Sequence, residues 1–256
     1  MEESTSDFEI FLEVHSGLPR QGPGSDESTL KALSYCNTLP DEEPAILDVG
    51  CGPGMQTLAL AKALDCRIKA VDVVDEYLNI LRERAEESNF SDRIEILKCD
   101  MNDLQFRPES FDIIWAEGSA YIMGVEKALA NWKRFLKPGG YISFSELVWL
   151  KPDPPDQVTR FFQKEYPPMT NVETNLSKLR ASKYETIANF TLPDSAWWDD
   201  YYSPLEAKLP TLKETFKDNR IARIALNIID STALEIEMRR KNEEWYGYEF
   251  FIGQKV

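Results

Sequence analysis

The sequence predicts a doubly wound α/β sheet with a helical cap inserted around its last strands. Apolar runs of strand length alternate with longer amphipathic stretches through residues 44–150. The first of these runs ends abruptly in a glycine-rich turn, and after Trp149 the alternation gives way to proline-rich and then mainly helical sequence. Five strand–helix alternations within so short a span leave little besides a parallel sheet covered on both faces.

Ala45–Val49 reads as the first strand, and the helix that follows places Leu58, Leu60, Ala61 and Leu64 on one face. The second strand is expected over Ile68–Val73, the second helix over Tyr77–Ser88 and the third strand over Arg93–Leu97. Phe111–Ala116 is almost wholly apolar, as a central strand buried on both faces must be. A helix over Val125–Phe135 is broken by Lys137-Pro138-Gly139-Gly140, because proline lacks an amide donor and glycine supplies unusual backbone angles. Tyr141–Glu146 makes the fifth strand. Beyond it, Gln157–Glu165 and residues 204–244 read as helical, while Tyr184–Leu192 and Tyr246–Gln254 read as strands. The predicted organisation is therefore an N-terminal helical segment over 1–43, an α/β core over 44–150, and a cap with the closing strands over 151–256.

Charge narrows the partners. With 44 acidic against 29 basic residues the net charge is −15, and no dense basic run exists to exchange for phosphate counterions. Nucleic-acid partners are not expected. The four cysteines, Cys36, Cys51, Cys66 and Cys99, form no CxxC pair, so no metal site is predicted and reduced thiols are expected. The acidic beginning MEESTSDFEI lacks the features of a secretory signal, and no apolar stretch is long enough to cross a bilayer. A cytoplasmic chain without membrane insertion is the expectation. Two-fold dimers are the commonest assemblies, and a homodimer is expected on that ground alone.

The strongest local signal is Leu47-Asp48-Val49-Gly50-Cys51-Gly52-Pro53-Gly54, placed where a strand ends and a helix opens. A side chain there would keep a nucleoside away from the backbone. Asp72, eighteen residues after Gly54, stands at the next strand end, where a carboxylate can accept from both hydroxyls of a ribose. Asp100-Met101 follows the third strand and could receive an adenine amino group and pack its ring. A nicotinamide or flavin fingerprint needs a glycine at the sixth position, which here is Met55, and no Gly-Lys-Ser/Thr of a phosphate loop is present.

This constellation resembles motif I of class I S-adenosylmethionine (SAM) dependent methyltransferases, and residues 44–150 follow that family's order. The resemblance implies a Rossmann-like sheet of seven strands with the last antiparallel. It implies S-adenosyl-L-methionine held around Asp48, Gly50, Cys51, Gly52 and Gly54, with Asp72 on the ribose, Asp100 and Met101 on the adenine, and Glu117-Gly118 near the methionine part. Leu136–Gly140 matches the family's turn before its fifth strand. The chain looks most like the small-molecule branch related to ubiquinone and menaquinone biosynthesis. It also resembles a group of uncharacterised prokaryotic methyltransferases that share Arg20–Ser25 and Tyr246–Gln254. The implied reaction is in-line methyl transfer to a small-molecule acceptor. A dinucleotide-dependent oxidoreductase and a SAM-binding protein that transfers nothing are the competing readings.

Such a reaction asks mainly for alignment, and for a base only if the acceptor keeps its proton. His15 is the single histidine; its ordinary pKa near neutrality suits a base, and an ordinary polar contact at a helix end is the plainer alternative. Glu117 could hold an ammonium, form a wall of the acceptor site or be structural, while Arg20 could pair with the cofactor carboxylate or lie on the surface. Tyr121 and Glu146 lie just past strand ends, on the rim where acceptors bind. Trp149, Tyr166, Trp197, Trp198, Tyr201 and Tyr202 suit either core packing or an aromatic acceptor pocket, with Trp197–Asp200 in a loop.

Overall fold

The computed structural model describes residues 7–40, 42–217 and 222–256. Residues 1–6 of the expected N-terminal segment and 218–221 of the expected helical stretch lie outside the described residues.

Five parallel strands form the core: β1 (Ala45–Val49), β2 (Arg67–Asp72), β3 (Ile94–Lys98), β4 (Phe111–Glu117) and β5 (Leu136–Trp149). Helices α3 (Met55–Ala63), α4 (Asp75–Glu87) and α5 (Val125–Trp132) make the crossovers, after α1 (Asp7–His15) and α2 (Asp26–Leu33) at the beginning. Two further long strands complete the sheet, β7 (Tyr184–Thr191) and the antiparallel β8 (Tyr246–Lys255), in the order β3-β2-β1-β4-β5-β8-β7. The strand order reverses between β1 and β4, which opens a crevice at their carboxyl ends.

Alternation along β1 separates two apolar layers. Ile46 joins Ile68 and Trp115 on one face, and Leu47 and Val49 join Ile114 and Phe144 on the other. The cap comprises α6 (Asp156–Glu165) and α7 (Val172–Ala181) between β5 and β7, then α8 (Ser195–Trp197), a π-helical turn (Trp198–Tyr202), α9 (Ser203–Phe216) and α10 (Ala222–Asn242) before β8. Helix α1 packs on α9 and α10, so Ile10, Val14 and Leu18 share a third apolar cluster with Phe162, Trp197 and Ile229. No helix among the described residues is long and apolar enough to cross a membrane.

Five expectations need correction. An additional two-residue strand, β6 (Thr170–Asn171), pairs with Val148 and Trp149. Strand β5 runs past Glu146 to Trp149 while β4 stops pairing at Ser145, and β6 takes the edge that β4 leaves. The Lys137–Gly140 segment does not lie outside the strand; it bulges within β5, with pairing broken between Phe111–Leu136 and Ile113–Tyr141 and Gly139 at φ +74. Helix α5 stops at Trp132, and Lys133–Phe135 is a tighter 3-10 turn. Finally, Trp197–Asp200 is helical instead of a loop. The π-helical turn keeps the buried Trp197, Tyr201 and Tyr202 directed inward while their backbone groups stay hydrogen-bonded.

Candidate active site

The crevice at the strand ends is covered by the N-terminal segment and the cap, leaving a cavity of about 660 Å³. Its floor is the loop after β1. Gly50 and Cys51 both donate backbone N–H groups to Val71 O (2.8 and 3.0 Å), which binds the loop to β2. Gly50 and Gly52 have φ of +72 and +53, and a Cβ on Gly52 would meet nothing closer than Gln21 Cγ at 3.9 Å. The backbone at Gly52 is thus bare toward the cavity. Gly54 does something else: a Cβ there would stand 2.1 Å from Leu81 Cδ1, so this glycine lets α3 and α4 pack, and it does not line the cavity.

Asp48 also departs from the expected role. It is fully buried beneath the loop, accepts from Thr57 Oγ1 (2.6 Å) and Gln56 Nε2 (3.3 Å), and is absent from the cavity wall. Burial pushes its carboxyl up to about 7 against the pull of the Thr57 hydroxyl. Cys51 lines the cavity, but burial raises its thiol well above the usual range and keeps it protonated.

Asp72 stands beside the bare backbone. Its Oδ2 accepts from Gly52 N (2.9 Å) and its Oδ1 from Val74 N (3.0 Å), leaving each oxygen a second acceptor site. Asp100 is exposed on the same wall. Its Oδ1 takes the Asn102 backbone and side-chain N–H groups at 2.8 and 2.9 Å, and these hold the carboxyl below its ordinary range. Met101 lies between this wall and Gly50.

The covering segment is fastened by charge. Arg20, 5% exposed, donates to Asp26 Oδ1 (2.8 Å) and Glu117 Oε2 (3.3 Å), and its Nε lies 3.6 Å from Asp200 Oδ2 without a hydrogen-bond partner. Glu117 Oε1 accepts from Thr29 Oγ1 (2.6 Å) and Trp115 Nε1 (2.9 Å). Burial raises the Glu117 carboxyl, and Arg20 counters that rise. Both side chains line the cavity, yet each already has protein partners. Arg84, which nothing in the sequence singled out, donates to Pro19 O (3.1 Å) and Pro53 O (2.8 Å) and so clamps this segment to the glycine loop. Gln21, inside the Arg20–Ser25 stretch, accepts from Tyr77 OH (2.7 Å) above Gly52.

His15 reaches the cavity but is a poor base. Its Nδ1 donates to Phe11 O (2.9 Å), its ring stacks on Phe11 (4.0 Å), and burial lowers its pKa to about 4. The expectation of a near-neutral pKa therefore fails, because the ring is desolvated. Tyr121 is 43% exposed and packs edge-on against Tyr166 (5.5 Å). It separates the main cavity from a neighbouring one of about 570 Å³, where Glu146, pushed up to about 7 by burial, accepts from Tyr166 OH (3.0 Å).

The cap wall is aromatic. Trp197, Tyr201, Tyr202, Tyr246 and Tyr248 line it together with Glu235, whose Oε1 accepts from Tyr202 OH (2.7 Å). Trp149 faces Phe162 in the cap core and takes no part in either cavity. Tyr248 lies within the Tyr246–Gln254 stretch already noted, whereas Glu235 sits among many acidic helical residues and carries no distinguishing mark in the sequence.

Comparison with known proteins follows this geometry. A family model described as a methyltransferase domain matches residues 46–140. Methyltransferase GfsG of Streptomyces halstedii is 30% identical over 104 residues, covering 40% of this chain and 37% of that protein. The O-methyltransferase rstn1 of Aspergillus nomiae is 27% identical over 59% of this chain and 68% of its own length. The chain spans 37%, 51% and 54% of the length of three such relatives. Among solved structures, a SAM-dependent methyltransferase from Geobacter sulfurreducens in complex with S-adenosyl-L-homocysteine superposes with TM-score 0.80 at 18% identity, covering 100% of both chains. The [4+2]-cyclase SpnF superposes with TM-score 0.74 at 21% identity, covering 96% of this chain and 91% of its own. Residues 46–140 thus match a methyltransferase-domain family model, and the chain as a whole shares the Rossmann-like fold of these solved structures.

Proposed function

We propose that the chain transfers a methyl group from S-adenosyl-L-methionine to a small-molecule acceptor. The observation that carries this reading is the bare backbone at Gly52 set beside Asp72, whose two oxygens each keep an acceptor site after bonding the loop. A ribose diol fits those two sites, and a nucleoside fits against a backbone that has no Cβ in its way. Asp100 and Met101 would take the adenine. Arg20 Nε, buried without a hydrogen bond, would meet a carboxylate, and Glu117 would lie near the ammonium. The bound cofactor supplies an already activated methyl group, so the protein's part is alignment and exclusion of water. In this reading residues 44–150 hold the cofactor, 1–43 cover it, and 151–256 cap the acceptor and complete the sheet.

Tyr121 and His15 border the acceptor space and shape it. His15 acts there as a neutral ring whose Nε2 lone pair is free to accept, because Nδ1 holds the proton that bonds Phe11 O. Four free cysteines support a reducing, cytoplasmic setting.

Isothermal titration with S-adenosylhomocysteine, SAM and NAD tests the reading. Micromolar binding of both adenosyl ligands with none for NAD is the expected result. Binding of NAD alone would refute the assignment of the glycine loop.

A further inference from the structure

The acceptor half of the cavity has an unusual balance of charge. Glu235 and Glu165 both line it, and the charge that acts on Glu235 is that of Glu165, another acid. Glu165 is paired with Lys164, and among the described residues no cation pairs with Glu235. Arg20 is engaged by Asp26, Glu117 and Asp200. Lys208 donates to Val14 O (3.1 Å) and Ser16 O. Arg239 donates to Asp194 Oδ1 (2.8 Å) and Tyr246 O (2.7 Å), and lies behind the Trp197 ring at 4.2 Å. His15 is held neutral by burial. An acid at a partly desolvated wall, lacking a counter-charge, selects a cation and repels an anion.

The rings around Glu235 add a second feature. Tyr202 donates to the carboxylate, Tyr201 stacks on Tyr202 at 4.8 Å, and Trp197 lies 5.4 Å from Tyr248. Electron-rich rings beside a carboxylate suit an alkylated ammonium. Trp197 does more than pack. Its Nε1 is buried and has no hydrogen-bond partner, although the residue lines the cavity, and the Tyr246 hydroxyl is in the same condition. Arg239 already covers one face of Trp197, so the unpaired N–H is a group that the indole can offer a ligand.

We infer that the acceptor is a compact cationic amine bearing an oxygen that accepts a hydrogen bond, with Glu235 reading the charge and the Trp197 N–H reading the oxygen. This rests on the cofactor reading, since the acceptor space is the part of the cavity that the cofactor leaves free.

The test titrates two probes of nearly equal shape into the full chain saturated with S-adenosylhomocysteine at pH 7. One is dimethylaminoethanol, protonated at this pH; the other is isoamyl alcohol, its uncharged carbon isostere. The amine is expected to bind about tenfold more tightly, as a desolvated cation against rings and a carboxylate should. In Glu235→Gln the preference should shrink to about twofold, and Trp197→Phe should weaken both probes by about threefold through the lost hydrogen bond. Equal binding of the two probes by the wild-type chain overturns the inference, as does failure of the amine to bind while S-adenosylhomocysteine is bound. The wild-type comparison decides the point even if a variant does not fold. Failure of S-adenosylhomocysteine itself to bind is a separate result that removes the cofactor reading, and this inference with it.

Discussion

The two halves of the cavity are built by opposite means. On the core side the wall is largely backbone: the Gly50–Gly52 loop, the ends of β2 and β3, and carboxylates such as Asp72 held by amides. On the cap side it is side chain, with tyrosines, tryptophans and a glutamate presented by helices. Backbone geometry is dictated by local sequence and tolerates little change. A side-chain wall can be rewritten without disturbing the elements that carry it. A division of this kind lets one fold serve different chemistries.

The sharpest way to probe the core half is to separate two glycines of the same loop. Gly54→Val should lower stability by about 4 kcal/mol, through overlap with Leu81 and left-handed backbone strain together. Gly52→Val should cost only about 1–2 kcal/mol of stability, from strain, yet weaken S-adenosylhomocysteine by about a hundredfold or more. Denaturant melts and titration calorimetry on the pair separate the effects; tight binding by a folded Gly52→Val chain would show that the ligand avoids this backbone. Asp72→Ala comes next, with an expected loss of about 1–3 kcal/mol in binding from its charge-assisted hydrogen bonds. Unchanged affinity in that variant would move the ribose elsewhere.

The remaining effects are in pH dependence, where Asp48 and His15 oppose each other. Asp48 in the native chain keeps a proton up to about pH 7, which the unfolded chain releases near its ordinary 3.8. Stability from this group therefore falls as pH rises across that window. His15 in the native chain is unprotonated down to about pH 4, while unfolded it binds a proton below 6.5, so its contribution falls as pH drops from 6.5 to 4. Thermal melts over this range should show Asp48→Asn removing the loss toward neutral pH and His15→Gln removing the loss toward acid. Slopes that do not move would mean that neither group is desolvated as strongly as its burial implies.

What could be read in the sequence divides along the same line. Strands β1 to β5, the glycine loop, Asp72, Asp100 and Met101 were all legible, because strand periodicity and turn chemistry are local. Asp48 and Gly54 sit in the same motif as Gly52 but face away from the cavity, and only packing against Thr57 and Leu81 reveals that. In the cap the aromatics were visible as a group. Their division into Trp149 in the core and Trp197 on the wall depends on the face of β5 that Trp149 occupies and on the rotation of the short α8, both set by burial and not by propensity. Glu235 and Arg84 gave no signal, since one charged residue on an amphipathic helix looks like its neighbours until the fold assigns its surroundings.

The segment around Arg20 is hydrogen-bonded in both directions. Arg84 and Glu117 hold it to the core, while Arg20 N donates to Asp200 O (3.4 Å) and Gly24 N to Ala196 O (2.9 Å) in the cap. Lifting it away from Gly52 therefore loosens the start of the helix that carries Trp197 and Tyr201. Opening over the cofactor half is thus coupled, through these two backbone bonds, to the packing of the cap wall that faces the acceptor half.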